Sequence, residues 1–225
     1  MDICRYLDHA VLKPDMTPDE IKTAIRLGID HRVKTVCVRP CDIALALDMC
    51  KGTETEVSCV LDFPHGCGGA EGKALLAGLY ADMGVQEIDM VMNYGHARGG
   101  RWDLVEDEIR GVAEAAHKRG VIVKVIFETC ELNDAQIRRA TQASIDAGAD
   151  FVKTSTGFAK SGASVEAVTA MLEAAQGKIQ VKPSGGIRDY ATAKMYVDMG
   201  AQRLGVGFGA TPPICAGQGS SDADY

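Results

Sequence analysis

Three lysines sit inside or at the ends of short apolar runs: Lys124 in Val123-Lys-Val-Ile126, Lys153 in Asp150-Phe-Val-Lys-Thr154 and Lys182 in Gln180-Val-Lys-Pro-Ser184. One carboxylate is placed the same way, Asp89 in Glu87-Ile-Asp-Met-Val-Met92. A lone strand-end lysine is ordinarily a charge that reaches water while its stem packs. Two ammonium groups on neighbouring strands repel each other, and burial disfavours their charge further. Both effects lower an amine's pKa and expose a lone pair able to attack a carbonyl carbon. A buried aspartate needs a partner, and Lys153 or Lys182 would supply one. Asp89 is then either half of a structural ion pair or a group that moves a proton beside an imine.

Other residue groups invite weaker readings. Ser184-Gly-Gly-Ile-Arg188 and Gly205-Val-Gly-Phe-Gly209 are glycine turns whose backbone N–H groups suit a phosphate, with Thr156, Gly157 and Arg188 as added donors. Tight turns use the same residues. Asp62-Phe-Pro-His65-Gly-Cys67 holds metal-ligand types, but no second cluster completes the usual three or four ligands. His9 reads as a hydrogen-bonded histidine at a strand end rather than a base.

These residues need a scaffold that gathers strand ends. Eight Val/Ile-rich runs recur, at 6–12, 35–38, 57–63, 87–92, 122–127, 151–154, 179–182 and 203–206. Between them lie helical patterns at about 17–27, 41–50, 70–82, 101–118, 133–147, 163–175 and 188–198. Thr17-Pro-Asp-Glu20 supplies an N-cap, a proline at the first helical position and an acid two residues later; Asn133 and Ser164 open two further helices. Gly28, Gly84, Gly120, Gly148 and Gly200 each stand where a helix stops. Continuously apolar strands alternating with helices predict an α/β protein with a buried parallel sheet, closed as a (β/α)8 TIM barrel in a single domain. The barrel spans 1–216, and 217–225 reads as a flexible tail. No Gly-x-Gly-x-x-Gly follows the first strand, which lowers the open, doubly wound rival. In such a barrel the site lies at the carboxyl ends of the strands, where Asp8, Cys37, Asp62, Asp89, Lys124, Lys153, Lys182 and the glycines after it collect.

Composition narrows the function. The chain has 225 residues, a net charge of −7 and no basic block, which argues against a nucleic-acid partner. No apolar run is long enough to span a membrane, and no secretory signal is recognised at the N-terminus, so a cytoplasmic protein is expected. The eight scattered cysteines read as reduced thiols.

Six segments carry a family resemblance: Leu7-Asp-His-Ala-Val-Leu-Lys-Pro14, Val36-Cys-Val-Arg-Pro-Cys41, Glu87-Ile-Asp-Met-Val-Met-Asn93, Lys124-Val-Ile-Phe-Glu-Thr-Cys130, Ala147-Gly-Ala-Asp-Phe-Val-Lys-Thr-Ser-Thr-Gly157 and Val181-Lys-Pro-Ser-Gly-Gly-Ile-Arg188. Over nearly its whole length the chain resembles the 2-deoxyribose-5-phosphate aldolases, a class I, Schiff-base family. The resemblance implies that Lys153 forms the imine, that Lys182 perturbs it and that Asp89 moves protons through a water. It makes Lys124 a supporting lysine and places Cys37 beside the substrate. It also makes Tyr225 a proton shuttle. It implies no cofactor or metal, an aldehyde and a sugar phosphate as ligands, and a homo-oligomer, dimer or larger. The expected reaction is reversible cleavage of 2-deoxy-D-ribose 5-phosphate to D-glyceraldehyde 3-phosphate and acetaldehyde. The chain departs from the family at Gly205–Gly209, where serines are usual, at His65–Ala70, and at Ala10, where threonine is usual. Gly205, Gly207, Gly185 and Gly186 then hold phosphate by backbone alone, or the acceptor is a different or unphosphorylated aldehyde. A non-catalytic metabolite-binding barrel is the reading from another class.

Overall fold

The computed structural model describes residues 2–218. Strands and helices alternate as β1 (Leu7–Val11), α1 (Pro18–Asp30), β2 (Thr35–Val38), α2 (Ile43–Cys50), β3 (Glu56–Leu61), α3 (Ala70–Met83), β4 (Glu87–Val91), α4 (Tyr94–Arg98), α5 (Trp102–His117), β5 (Ile122–Ile126), α6 (Asp134–Asp146), β6 (Phe151–Lys153), α7 (Val165–Ala175), β7 (Gln180–Lys182), α8 (Tyr190–Asp198), β8 (Leu204–Gly207) and α9 (Thr211–Cys215). All the strand pairs are parallel, and β1 lies between β2 and β8. The ring closes between β7 and β8 through a single parallel bridge, Ser184 to Gly205, supported by Gly205 N–H donating to Pro183 at 2.8 Å and Gln202 N–H to Val181 at 3.1 Å. This is the predicted (β/α)8 barrel. Outward strand residues such as Val36, Ile88, Val123, Val152 and Val181 are buried against the helices.

Local signals act as their chemistry dictates. Thr17 and Glu20 form a full capping box at α1, and Asn133 with Gln136 forms another at α6. Gly84, Gly120, Gly148 and Gly200 all adopt left-handed backbone where a helix ends. Gly28 is a correction: α1 runs through it to Asp30. A Cβ there would lie 2.8 Å from Val36 Cγ1 and 3.0 Å from His9 Cδ2, so this glycine lets α1 lie against β1 and β2 rather than ending the helix. The strand expected over 57–63 ends at Leu61, because Asp62 turns the chain with φ 51°. Two short helices, α4 and α9, were not predicted, since five residues leave too little periodicity to read. The expectation of eight reduced thiols is corrected at one pair, Cys4 and Cys215, joined as a disulfide that links the first turn of the chain to α9. Residues 219–225, with most of the expected tail and Tyr225, lie outside the described residues.

Candidate active site

Parallel register sets the site. Lys153 pairs with Lys182 across β6 and β7, and Asp89 with Lys124 across β4 and β5. These side chains point into the barrel and converge. Asp89 Oδ2 accepts from Lys153 Nζ at 2.8 Å and from Lys182 Nζ at 2.7 Å, while Oδ1 accepts from Lys124 Nζ at 2.7 Å. The predicted meeting of Lys153 and Lys182 is thus made through one shared oxygen. Asp89 sits in the middle of β4 rather than at its end. Lys182 also donates to Asp8, whose other oxygen accepts from Arg203 at 2.8 Å and from Thr35 at 2.8 Å. Below them Glu87 accepts from Lys124 at 2.5 Å and from Arg203 at 2.7 and 3.0 Å. Every member is buried. Four cations (Lys124, Lys153, Lys182, Arg203) therefore face three carboxylates (Asp8, Glu87, Asp89), so the cluster carries one net positive charge when all are ionised.

Opposed forces fix the charge states. Burial, the largest single effect on Asp89, favours its neutral form, but Lys124, Lys153 and Lys182 together hold it well below the usual carboxylate range. Asp8 is depressed in the same way, with Lys124, Lys182 and Arg203 outweighing burial. For Lys124 burial again opposes the charge, and Asp8, Asp89 and Glu87 overcome it, so this ammonium stays protonated far above the ordinary lysine range. Burial pushes the Cys37 thiol up, which keeps it neutral.

Around this polar centre the mouth has unlike sides. Ala10, Leu12, Cys37 and Val60 form an apolar wall over β1–β3, backed by Phe63. Cys37 is a wall residue here, not an ionised nucleophile. Phe63 meets Phe158 edge-on, 5.2 Å between centroids, joining the loops after β3 and β6. The β3 and β4 loops are anchored from α3: buried Lys73 donates to Gly66 O at 3.1 Å, Val91 O at 2.9 Å and Glu108 at 2.8 Å, and Glu108 accepts the Asn93 N–H at 2.5 Å. On the opposite side Gly157, Gly162 and Gly185 pack backbone to backbone; a Cβ on Gly185 would come 3.0 Å from Gly162 Cα and 3.4 Å from Gly157 Cα.

Of the proposed phosphate residues, Gly157 and Gly185 lie together, and Gly205 is bridged to Ser184 next to Gly185. Thr156 donates its hydroxyl to Glu128 and accepts the Phe158 N–H at 3.0 Å. Gly186 and Arg188 are exposed. Gly207 ends β8, and Gly205 lies within it, paired with Asp8. Phe208 packs towards His9, 6.5 Å between rings. His9 itself donates from Nε2 to Ala24 O at 2.8 Å and meets Thr211 Oγ1 at 2.7 Å, so it lies between the barrel and α1, outside the site. Asp62, His65 and Cys67 do not assemble: His65 and Cys67 are exposed and Asp62 lies 3.3 Å from Lys73. Among the described residues no three His, Cys, Asp or Glu side chains are placed so that they could hold a metal ion together.

Sequence reasoning missed Glu87 and Arg203, although each is a charge opening an apolar run, the signal that singled out the lysines. It missed Glu128, whose left-handed φ of 55° carries its carboxyl to Thr156. It also missed Ser155 and Ser184, whose buried hydroxyls have no hydrogen-bond partner among the described residues.

The family described as DeoC/LacD family aldolase matches residues 3–210. A relative named deoxyribose-phosphate aldolase from an Exiguobacterium species is 42% identical over all of both chains. Among solved structures, one titled "QR15, an Aldolase" superposes with a TM-score of 0.89 at 35% identity, covering 96% of this chain and 95% of its own. Another, described as the unique tetrameric structure of deoxyribose phosphate aldolase from Aeropyrum pernix, gives a TM-score of 0.87 at 26% identity, with 95% and 89% covered.

Proposed function

The chain belongs to the DeoC/LacD family of aldolases, and from that premise we propose that it cleaves 2-deoxy-D-ribose 5-phosphate reversibly through an imine on Lys153. The observation that carries the reading is the shared Asp89 Oδ2, bound at 2.8 and 2.7 Å by the two lysines of adjacent strands. Lys153 attacks C1 of the open-chain aldehyde as the free amine. The carbinolamine loses water to give the iminium. The C3 hydroxyl then gives up its proton towards Asp89, through a water, and the C2–C3 pair flows into the iminium. Glyceraldehyde 3-phosphate departs, leaving the enamine of acetaldehyde. Protonation at C2 and attack by water release acetaldehyde and restore Lys153. Lys182, between Asp8 and Asp89, is placed to pass the proton; Lys124 holds Asp89 from below.

The reaction draws on residues of one barrel domain, 1–216, and we place it in the cytosol. Of the described helices none is long and apolar enough to cross a membrane. The Aeropyrum relative's tetramer supports a homo-oligomer here too. On α3, Leu75 and Leu79 are 77% and 55% exposed on one face with Met83, a surface suited to a second copy. A monomer's mass in light scattering would retire this assembly.

One observation favours a second reading. The turn after β8 offers no hydroxyl, and Phe208 packs towards His9. An unphosphorylated aldehyde would then serve as acceptor. Cleavage of 2-deoxyribose with and without its 5-phosphate separates the two. A kcat/KM preference for the phosphate of several hundredfold, about 4 kcal/mol, supports the first reading; equal rates support the second; no acetaldehyde from either sugar contradicts both.

A further inference from the structure

Ser184 stands at the seam of the barrel. Its bridge to Gly205 continues the register of β7, so its side chain falls on the same inward face as Lys182, two residues nearer the mouth. The backbone is clamped on both sides of the residue: Ser184 N–H donates to Thr154 Oγ1 at 2.9 Å, and that hydroxyl donates back to Ser184 O at 3.1 Å. Gly205 makes room for the hydroxyl. A Cβ on that glycine would collide with Ser184 Oγ and stand 3.2 Å from Lys182 Cε. The hydroxyl is thus held beside the lysine that bonds Asp89. It is fully buried, and no described residue bonds it. Ser155, two residues beyond Lys153, carries a second buried hydroxyl with no partner among the described residues. Buried polar groups are normally paired, so a rigidly placed, unpaired hydroxyl beside reactive groups points to a ligand atom.

We propose that Ser184 is a specificity-determining residue that hydrogen-bonds the substrate hydroxyl on the carbon next to the aldehyde of the acceptor, and so selects 2-hydroxyaldehydes over plain aldehydes. The inference rests on the aldolase reading above. Position supports the choice of atom. The oxygen formed from the acceptor's own carbonyl is the one turned to Asp89. Ser184 lies about 6–7 Å farther up the strand than Lys182 at its Cα, where the chain's next carbons run towards the mouth. Gly205 then serves the site by leaving space for this hydroxyl, a role distinct from holding phosphate.

The test is Ser184→Ala in the condensation direction, with acetaldehyde as donor and either D-glyceraldehyde or propanal as acceptor. These acceptors have the same carbon skeleton and differ in hydroxyls. The ratio of kcat/KM for glyceraldehyde to that for propanal is expected to fall tenfold or more in the variant. A ratio unchanged from wild type, whatever the absolute rates, overturns the assignment. The variant's Tm should equal or exceed that of the wild type, because no internal hydrogen bond is lost; a drop of several degrees, or failure to fold, also counts against it. The aldolase reading fails separately, by an absence of condensation with either acceptor in the wild-type enzyme.

Discussion

Asp89 is bonded by three ammonium groups, and its replacement separates stability from chemistry. Asp89→Asn keeps the shape but removes the charge that compensates Lys124, Lys153 and Lys182. Breaking a buried ion pair by removing one partner costs roughly 3–5 kcal/mol. Denaturant unfolding should show that loss, and turnover should fall by at least about 100-fold through the missing proton acceptor. Near wild-type stability would mean that the three lysines do not depend on this carboxylate. At this scale much was legible in the chain. A lysine inside Phe-Val-Lys-Thr or Gln-Val-Lys-Pro is conspicuous because charge is rare in a buried strand. Thr156 and Arg188 show the limit. Their types suit phosphate, yet only the structure shows one committed to Glu128 and the other exposed.

Elements hold these residues in place, and His9 reports on one such joint. It ties β1 to α1 through Ala24 O and to α9 through Thr211. The carbonyl can only accept, so Nε2 carries the proton and Nδ1 accepts from the threonine. Burial, against the help of the Ala24 carbonyl, moves the imidazole from its ordinary 6.5 down to about 4. Between these values the unfolded chain binds a proton that the folded chain refuses. The stabilisation is therefore complete above pH 6.5 and is lost as pH falls towards 4, by about 3 kcal/mol in all. Tm should decline across this window, and His9→Gln should flatten the decline even if it lowers the plateau. An equally steep slope in the variant would place the titration elsewhere. The strand pattern and caps were readable because 3.6-residue and continuous apolar periods differ plainly. Gly28 was misread because a glycine near a helix end has two causes, a left-handed stop and a close approach, and only the neighbour at 2.8 Å tells them apart.

At the scale of the whole molecule, closure creates the site. Asp8 comes from the first strand, Asp89 from the fourth, Lys153 and Lys182 from the sixth and seventh, and Arg203 precedes the eighth; only the ring brings them within hydrogen-bond reach. The chain carries −7 overall, whereas this buried cluster sets four basic side chains against three carboxylates, so basic groups outnumber acids where the molecule as a whole has the reverse. Alternating strands and helices announced the ring, and adjacent strands announced the meeting of two lysines. Which carboxylate each lysine would share depends on the stagger of the strands, which leaves no mark in local periodicity. The central claim is that Lys153, and not its equally buried neighbours, is the nucleophile. The direct measurement is reduction with borohydride in the presence of acetaldehyde, followed by peptide mass mapping. The account predicts an ethyl group on Lys153 and none on Lys124 or Lys182. An unlabelled Lys153, or a label on either of the other two, would contradict it.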